Sequence, residues 1–294
     1  MRLLLIIVLV ALNIKLLACS GCNVSTGLVN SDPVNYLSLK YRHTLFNGVE
    51  SSFFRHTGHG GVFSESYFNY DFSAKYFFYK KWYAQGMFSY QQVKLVSDSS
   101  TNYVNGVTDP FLFLGYNDFE IFKNWQLNYN VFGGLDFGIG SYKVAQGSEY
   151  SAGSKSYDIL LGFELLAKLK KVGFSSKGNI KFNSKNKENY LFGNVVNNSF
   201  VFLYYVEKEN LMCIPFLGVT HEWNLKDKLD DDLMLNTSSE VLFIDLGINF
   251  LFKNKFLIGG KYKLGFYDDI PGWESVNVSG FEIELSYIFS DKKE

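Results

Sequence analysis

Apolar and polar residues alternate with a period of two along most of this chain. Leu37, Leu39 and Tyr41 alternate with Ser38, Lys40 and Arg42. Phe68, Tyr70, Phe72, Ala74, Tyr76 and Phe78 then alternate with Asn69, Asp71, Ser73 and Lys75. Further on, Phe174, Ser176, Gly178, Ile180 and Phe182 alternate with Ser175, Lys177, Asn179 and Lys181. The last run places Phe281, Ile283, Leu285, Tyr287 and Phe289 on one face and Glu282 and Glu284 on the other. This is the signature of strands with one greasy face and one polar face. It predicts twelve strands, near 35–46, 67–79, 83–96, 108–121, 124–138, 156–170, 173–184, 197–206, 212–224, 239–252, 255–266 and 279–289.

The connections between these runs alternate in length. Long ones are expected at 47–66, 97–107, 139–155, 185–196, 225–238 and 267–278, and short ones at 80–82, 122–123, 171–172, 207–211 and 253–254. Short periplasmic turns, long extracellular loops and an even strand count mark an outer-membrane barrel. The competing reading is a soluble lipocalin-like barrel with its apolar face inward, because alternation does not say which face looks out. Size separates the two: about eight strands is where side chains fill an interior, and twelve leave a lumen too wide for these apolar residues. The expected fold is therefore all-β, a closed antiparallel transmembrane β-barrel of about twelve strands.

Composition agrees with that class. Twenty-nine Phe and 20 Tyr accompany 26 Gly and only 4 Pro in 294 residues, which favours strands over helices. Mean hydropathy is near zero, as expected when only alternate residues meet lipid. The 28 basic and 29 acidic residues nearly balance, which argues against a nucleic-acid partner. At the N-terminus, Arg2 and the apolar run Leu3 to Leu12 read as a secretory signal over residues 1–18. A periplasmic segment at 19–34 and the barrel with a short tail at 35–294 follow. The expected partners are outer-membrane lipid, the barrel assembly machinery through the C-terminal strand, and a small solute of unassigned identity.

The polar face of the strands supplies the candidate site: Lys40, Arg42, Asp71, Lys75, Lys177, Lys181, Glu222, Asp245, Lys261, Lys263, Glu282 and Glu284. A symmetric hairpin across 267–278 pairs residues whose numbers sum to about 545, which sets Lys261 against Glu284 and Lys263 against Glu282. Closure brings Lys40 and Arg42 on the first strand against the last. Opposite charges across strands are mildly favourable, and more so in a narrow lumen. One charge ladder at the closing seam is the expectation.

Other chemistry is thinner. Cys19 and Cys22 open the mature chain: Leu16-Leu17-Ala18-Cys19 is an acceptable lipobox, the pair could equally form a disulfide or bind metal, or it merely borders a cleavage site. His56 and His59 form an H-x-x-H in the first long loop, two metal ligands without a marked third. The four histidines show no H-x-S spacing of an outer-membrane phospholipase, so no catalytic residue and no cofactor is expected. Asp230, Asp231 and Asp232 read as a solvated acidic loop.

Asn105-Gly106-Val107-Thr108-Asp109-Pro110 resembles the G-x-G-D turn of the transporter-type barrels named for the meta-pathway of phenol degradation, and Asn236-Thr237-Ser238-Ser239 resembles their N-T-G-G turn. The paired-cysteine start is similar to that of other small outer-membrane barrels. The resemblance implies a transporter or channel. The residues leave two functions in play: a passive channel for small solutes, or a non-conducting barrel that anchors a binding surface.

Overall fold

The computed structural model describes residues 34–50, 61–97, 100–122, 124–141, 152–234, 237–270 and 273–289. Cys19, Cys22, His56 and His59 lie outside these residues, as does the expected signal peptide. The first half runs β1 (Asn35–Glu50), β2 (Gly61–Tyr79), β3 (Trp82–Ser97), β4 (Thr101–Val107), β5 (Phe111–Phe122), β6 (Trp125–Asp136), β7 (Asp158–Leu169) and β8 (Val172–Phe182). The second half runs β9 (Tyr190–Leu191), β10 (Val195–Tyr204), β11 (Val206–Lys208), β12 (Leu211–Asn224), β13 (Lys228–Leu229), β14 (Asp232–Leu233), β15 (Ser239–Phe252), β16 (Phe256–Asp269) and β17 (Trp273–Phe289).

Two of the barrel's staves are broken strands. β4 pairs with the far half of β3 and β5 with its near half, and β10 and β11 both pair with β12. Counting each as one stave, twelve antiparallel staves follow one another in chain order, and β17 closes on β1. Closure leaves no open sheet edge around the membrane-spanning ring of staves, the condition for backbone to cross a bilayer in strands; β4, beyond it, pairs with β3 alone. Tight connections join the staves at one end. Lys253 and Asn254 there both adopt left-handed φ, at 50° and 54°, which suits a two-residue hairpin. By the rule for such barrels this end faces the periplasm.

The outward face is a continuous apolar belt that includes Leu39, Phe72, Leu114, Phe163, Leu217 and Ile283. Phe122 and Trp125 lie at its turn-end margin. His43 joins this belt, stacked on Phe68 at 4.6 Å between ring centroids and tilted against Phe281 at 5.4 Å.

In three expected long loops the described residues are mostly strand. Residues 47–50, 61–66, 101–107, 267–269 and 273–278 belong to β1, β2, β4, β16 and β17, and make one side of the barrel a tall wall. The reason is a polarity inversion. Toward the loop end the period of two continues, but the inward positions become apolar: Phe46, Tyr67, Val93, Leu95, Val104, Val241, Phe243, Val276 and Val278 form one buried cluster. Their outward neighbours there include Asn47, Ser66, Lys94, Asn105 and Asn277. A wall standing in water needs its polar face outside, so the inward apolar collar marks where the staves leave the membrane. The inner face is thus polar where the staves cross the membrane and apolar along this wall beyond it.

Candidate functional site

Below the collar, the inward face is charged. All twelve polar-face candidates occupy inward positions of their staves, and Lys75, Lys181, Asp245 and Lys263 are almost fully buried. β1 and β17 register Lys40 against Glu284 and Arg42 against Glu282. The Lys40 ammonium lies 3.5 Å from a Glu284 oxygen, and Ser38 donates to that carboxylate at 3.0 Å. Arg42 turns toward β2 as well and clasps Asp71 through two nitrogens, at 2.6 and 3.0 Å. A forked guanidinium matches a carboxylate in this bidentate way.

The expected register of the last hairpin is corrected. β16 and β17 pair Lys261 with Glu282 and Lys263 with Gly280, two residues away from the symmetric solution. The short connection after Asp269 shifts the centre of the hairpin toward the N-terminus. Lys261 then bridges Glu282 at 3.1 Å, whereas Lys263 reaches past β15 to Glu222 on β12. The single ladder is thus several pairs, distributed from β2 around the seam to β12.

A second cluster sits on the opposite wall. Lys181 of β8 bridges Asp158 at 2.9 Å and Asp136 at 2.7 Å, joining β7 and β6. Lys177 faces Glu164 across β7 and β8, and lies within electrostatic reach of Lys40, Lys261 and Glu282 on the far side of the lumen. Asp245 accepts the Thr220 hydroxyl.

Five buried carboxylates of the interior escaped the sequence reading: Glu65, Asp109, Asp136, Asp158 and Glu164. Glu65 lay in an expected loop, Asp136 and Asp158 at the frayed ends of expected strands, and Glu164 in the run Ile159 to Ala167, apolar at most positions. All five are acidic. Against the seven basic candidates they raise the acidic count from five to ten, which reverses the net sign of the inner face.

Asp109 has a structural task. It stands at the break between β4 and β5 and accepts the backbone N–H of Gly140 at 2.6 Å, the backbone N–H of Ser154 and the Ser154 hydroxyl at 2.8 Å. It thereby ties the β6–β7 connection to the wall. A Cβ on Gly140 would stand 2.7 Å from the Asp109 carboxylate, so that approach requires glycine. The Asp109 of the motif that resembles a G-x-G-D turn is therefore part of a buried clasp. A similar tie holds the next two loops: Asp227 accepts the Tyr190 hydroxyl and, at 2.6 Å, the Gly193 N–H, while β9, β13 and β14 form a small sheet. Lys185 bonds Asp231 at 2.6 Å and holds its carboxyl below the usual carboxylate range. Among the described residues, no group of three or more His, Cys, Asp or Glu is placed to hold a metal ion.

A family model described as "Putative MetA-pathway of phenol degradation" matches residues 49–272. The chain belongs to this family. Solved structures resemble this chain's barrel. An outer membrane channel of Pseudomonas putida F1 superposes with a TM-score of 0.66 at 13% identity, covering 91% of this chain and 100% of the other. The β domain of the Bordetella autotransporter BrkA gives 0.49 at 9% identity, over 88% and 100% of the two chains. No curated protein matches the sequence. The chain is an outer-membrane β-barrel in contact with lipid, and the channel of P. putida shares its fold.

Proposed function

We propose that this barrel is a passive outer-membrane channel for small solutes and has no catalytic role. The observation that carries the reading is a charged interior whose polar atoms are not satisfied by protein alone. Asp136 Oδ1, Glu164 Oε2, Asp245 Oδ1 and the side-chain amide of Asn128 are buried without a protein hydrogen-bond partner. Buried polar groups need partners, so these atoms favour side-chain arrangements that admit water to the bore. A hydrated, charged bore is what a passive pathway requires, with fixed charges setting ion preference. The inner charges act by field along the path. The P. putida channel with the same fold supports this reading.

The measurement is conductance of the purified full-length protein in planar bilayers. Steady open steps are expected, with a reversal potential that favours cations, because ten inner carboxylates face seven basic groups. Bilayers that stay silent across a range of voltages would overturn it.

The second reading, a closed barrel that anchors a loop-borne binding surface, draws on different observations. Side chains bridge neighbouring and next-but-one staves, and an apolar cluster lines the bore toward the loop end along the wall from β15 to β4. Silent bilayers are its expected result. For biogenesis, the alternating strand Phe281–Phe289 is the segment we assign to the assembly machinery, and a signal peptide ending before Cys19 supplies export. Mass spectrometry of the mature N-terminus distinguishes a diacylated Cys19 from a free or disulfide-bonded one.

A further inference from the structure

The tight-turn end of the barrel carries a charge pattern that solute passage does not use. Lys80 and Lys81 form the β2–β3 turn, Lys170 and Lys171 the β7–β8 turn, and Lys253 and Lys255 flank Asn254 between β15 and β16. All six are exposed, and Lys208 adds a seventh beside the β11–β12 turn. The outward-facing acids at this end are Asp118, Glu120 and Glu209, and Asp118 is bonded to Lys81. Among the described residues, seven basic groups against three acidic ones leave a net charge of +4 on this rim. Glu207 and Lys168 pair with each other at 3.4 Å. The loop end is mixed: Asp230, Asp231, Asp232, Glu240, Asp268 and Asp269 stand there among Lys155, Lys185, Lys187, Lys226 and Lys228.

Height matters as much as sign. Within two residues of these lysines the outward face carries Tyr79, Trp82, Val172, Phe252 and Phe256, all exposed on the barrel wall. Aromatic girdles of this kind mark the interface between hydrocarbon and headgroups. The Lys80 ammonium lies 5.4 Å from the Tyr79 ring centroid, along that girdle. Lysine stems cover apolar surface while the ammonium reaches the phosphate layer. The ring of turns therefore presents ammonium groups to the phosphates of the periplasm-facing leaflet.

We propose that this rim selects anionic phospholipids, those with a single uncompensated phosphodiester charge, as the barrel's annular lipids on the periplasmic side. A zwitterionic headgroup brings its own cation and gains little from the lysines, whereas a net anionic one is held by several. Each lysine close to an anionic surface weights occupancy by roughly fivefold, and the effect is screened by salt. The inference rests on the fold and its orientation, and holds whether or not the lumen conducts.

The test uses full-length protein in nanodiscs of phosphatidylcholine and phosphatidylglycerol at equal mole fraction, with retained lipids counted by native mass spectrometry after mild delipidation. Wild type is expected to retain phosphatidylglycerol at least several-fold over phosphatidylcholine, and less so at high salt. The quadruple variant K170Q/K171Q/K253Q/K255Q should lose most of that preference, by about tenfold. The lysine-to-arginine version at the same four positions should keep it. A loop-end control, K185Q/K187Q, should behave as wild type. Heat-modifiable migration on gels shows that each variant is a folded barrel. Equal retention of the two lipids by wild type overturns the proposal, and so does a turn variant that keeps the preference. A loop-end control with the same loss would assign the preference to total charge and overturn it as well.

Discussion

At the scale of single residues, Asp109 shows how much of this interior depends on one carboxylate. Its three accepted hydrogen bonds tie the segments around Gly140 and Ser154 to the break between β4 and β5. Removing a buried acceptor leaves its donors unsatisfied, at about 1–3 kcal/mol each. Asp109→Ala is therefore expected to free the β6–β7 connection without dissolving the barrel. Limited proteolysis should cut the variant between residues 137 and 157 under conditions that leave wild type intact. Unchanged resistance would mean that the clasp is dispensable. The motif itself was visible in the sequence, but its role was not. A Gly-rich turn and a clasp buried against a distant loop share one local pattern, and the partners of Asp109 lie 31 and 45 residues away.

At the scale of strands, the β16–β17 hairpin shows why faces are easier to read than partners. The observed register differs from the symmetric one by two residues, so Lys261, Lys263, Glu282 and Glu284 keep their inward direction and exchange neighbours. A slip of one would have sent each side chain to the other face. Hydrophobic alternation therefore constrains parity strongly and register weakly. The Lys261–Glu282 pair is the consequence to measure. In a charge-swap cycle, K261E and E282K should each destabilise the barrel, and the double variant should recover part of the loss. The expected coupling is about 0.5–3 kcal/mol, read from urea unfolding in lipid vesicles. Additive single effects would show that the two groups do not communicate.

For the whole molecule, the decisive feature is the change of lining along the bore. The membrane-spanning part places apolar residues outside and charges inside, and the tall wall beyond it does the reverse. An apolar constriction resists hydrated ions through the cost of stripping water. If the bore conducts as proposed, the apolar wall around Phe243 and Val278 is expected to be the barrier that limits it. Phe243→Asn, which places an amide in that wall, is expected to raise single-channel conductance several-fold with little change in ion preference. A variant that conducts as wild type does would move the barrier down to the ion pairs. Lipid contact, and the solute passage proposed above, both depend on how the two faces trade polarity with height.

The sequence by itself determined the architecture: twelve alternating staves, the twofold period, the tight turns at one end and the polar face of most strands. Those are local properties, because a strand's period and a turn's length are written in consecutive residues. Only the tertiary structure decided which side of the period faces in beyond the membrane, which charges meet, and that five buried carboxylates join the interior. These are outcomes of closure. The meeting of Lys263 with Glu222, or of Lys181 with Asp136, depends on register accumulated around the ring. No stretch of neighbouring residues contains that information.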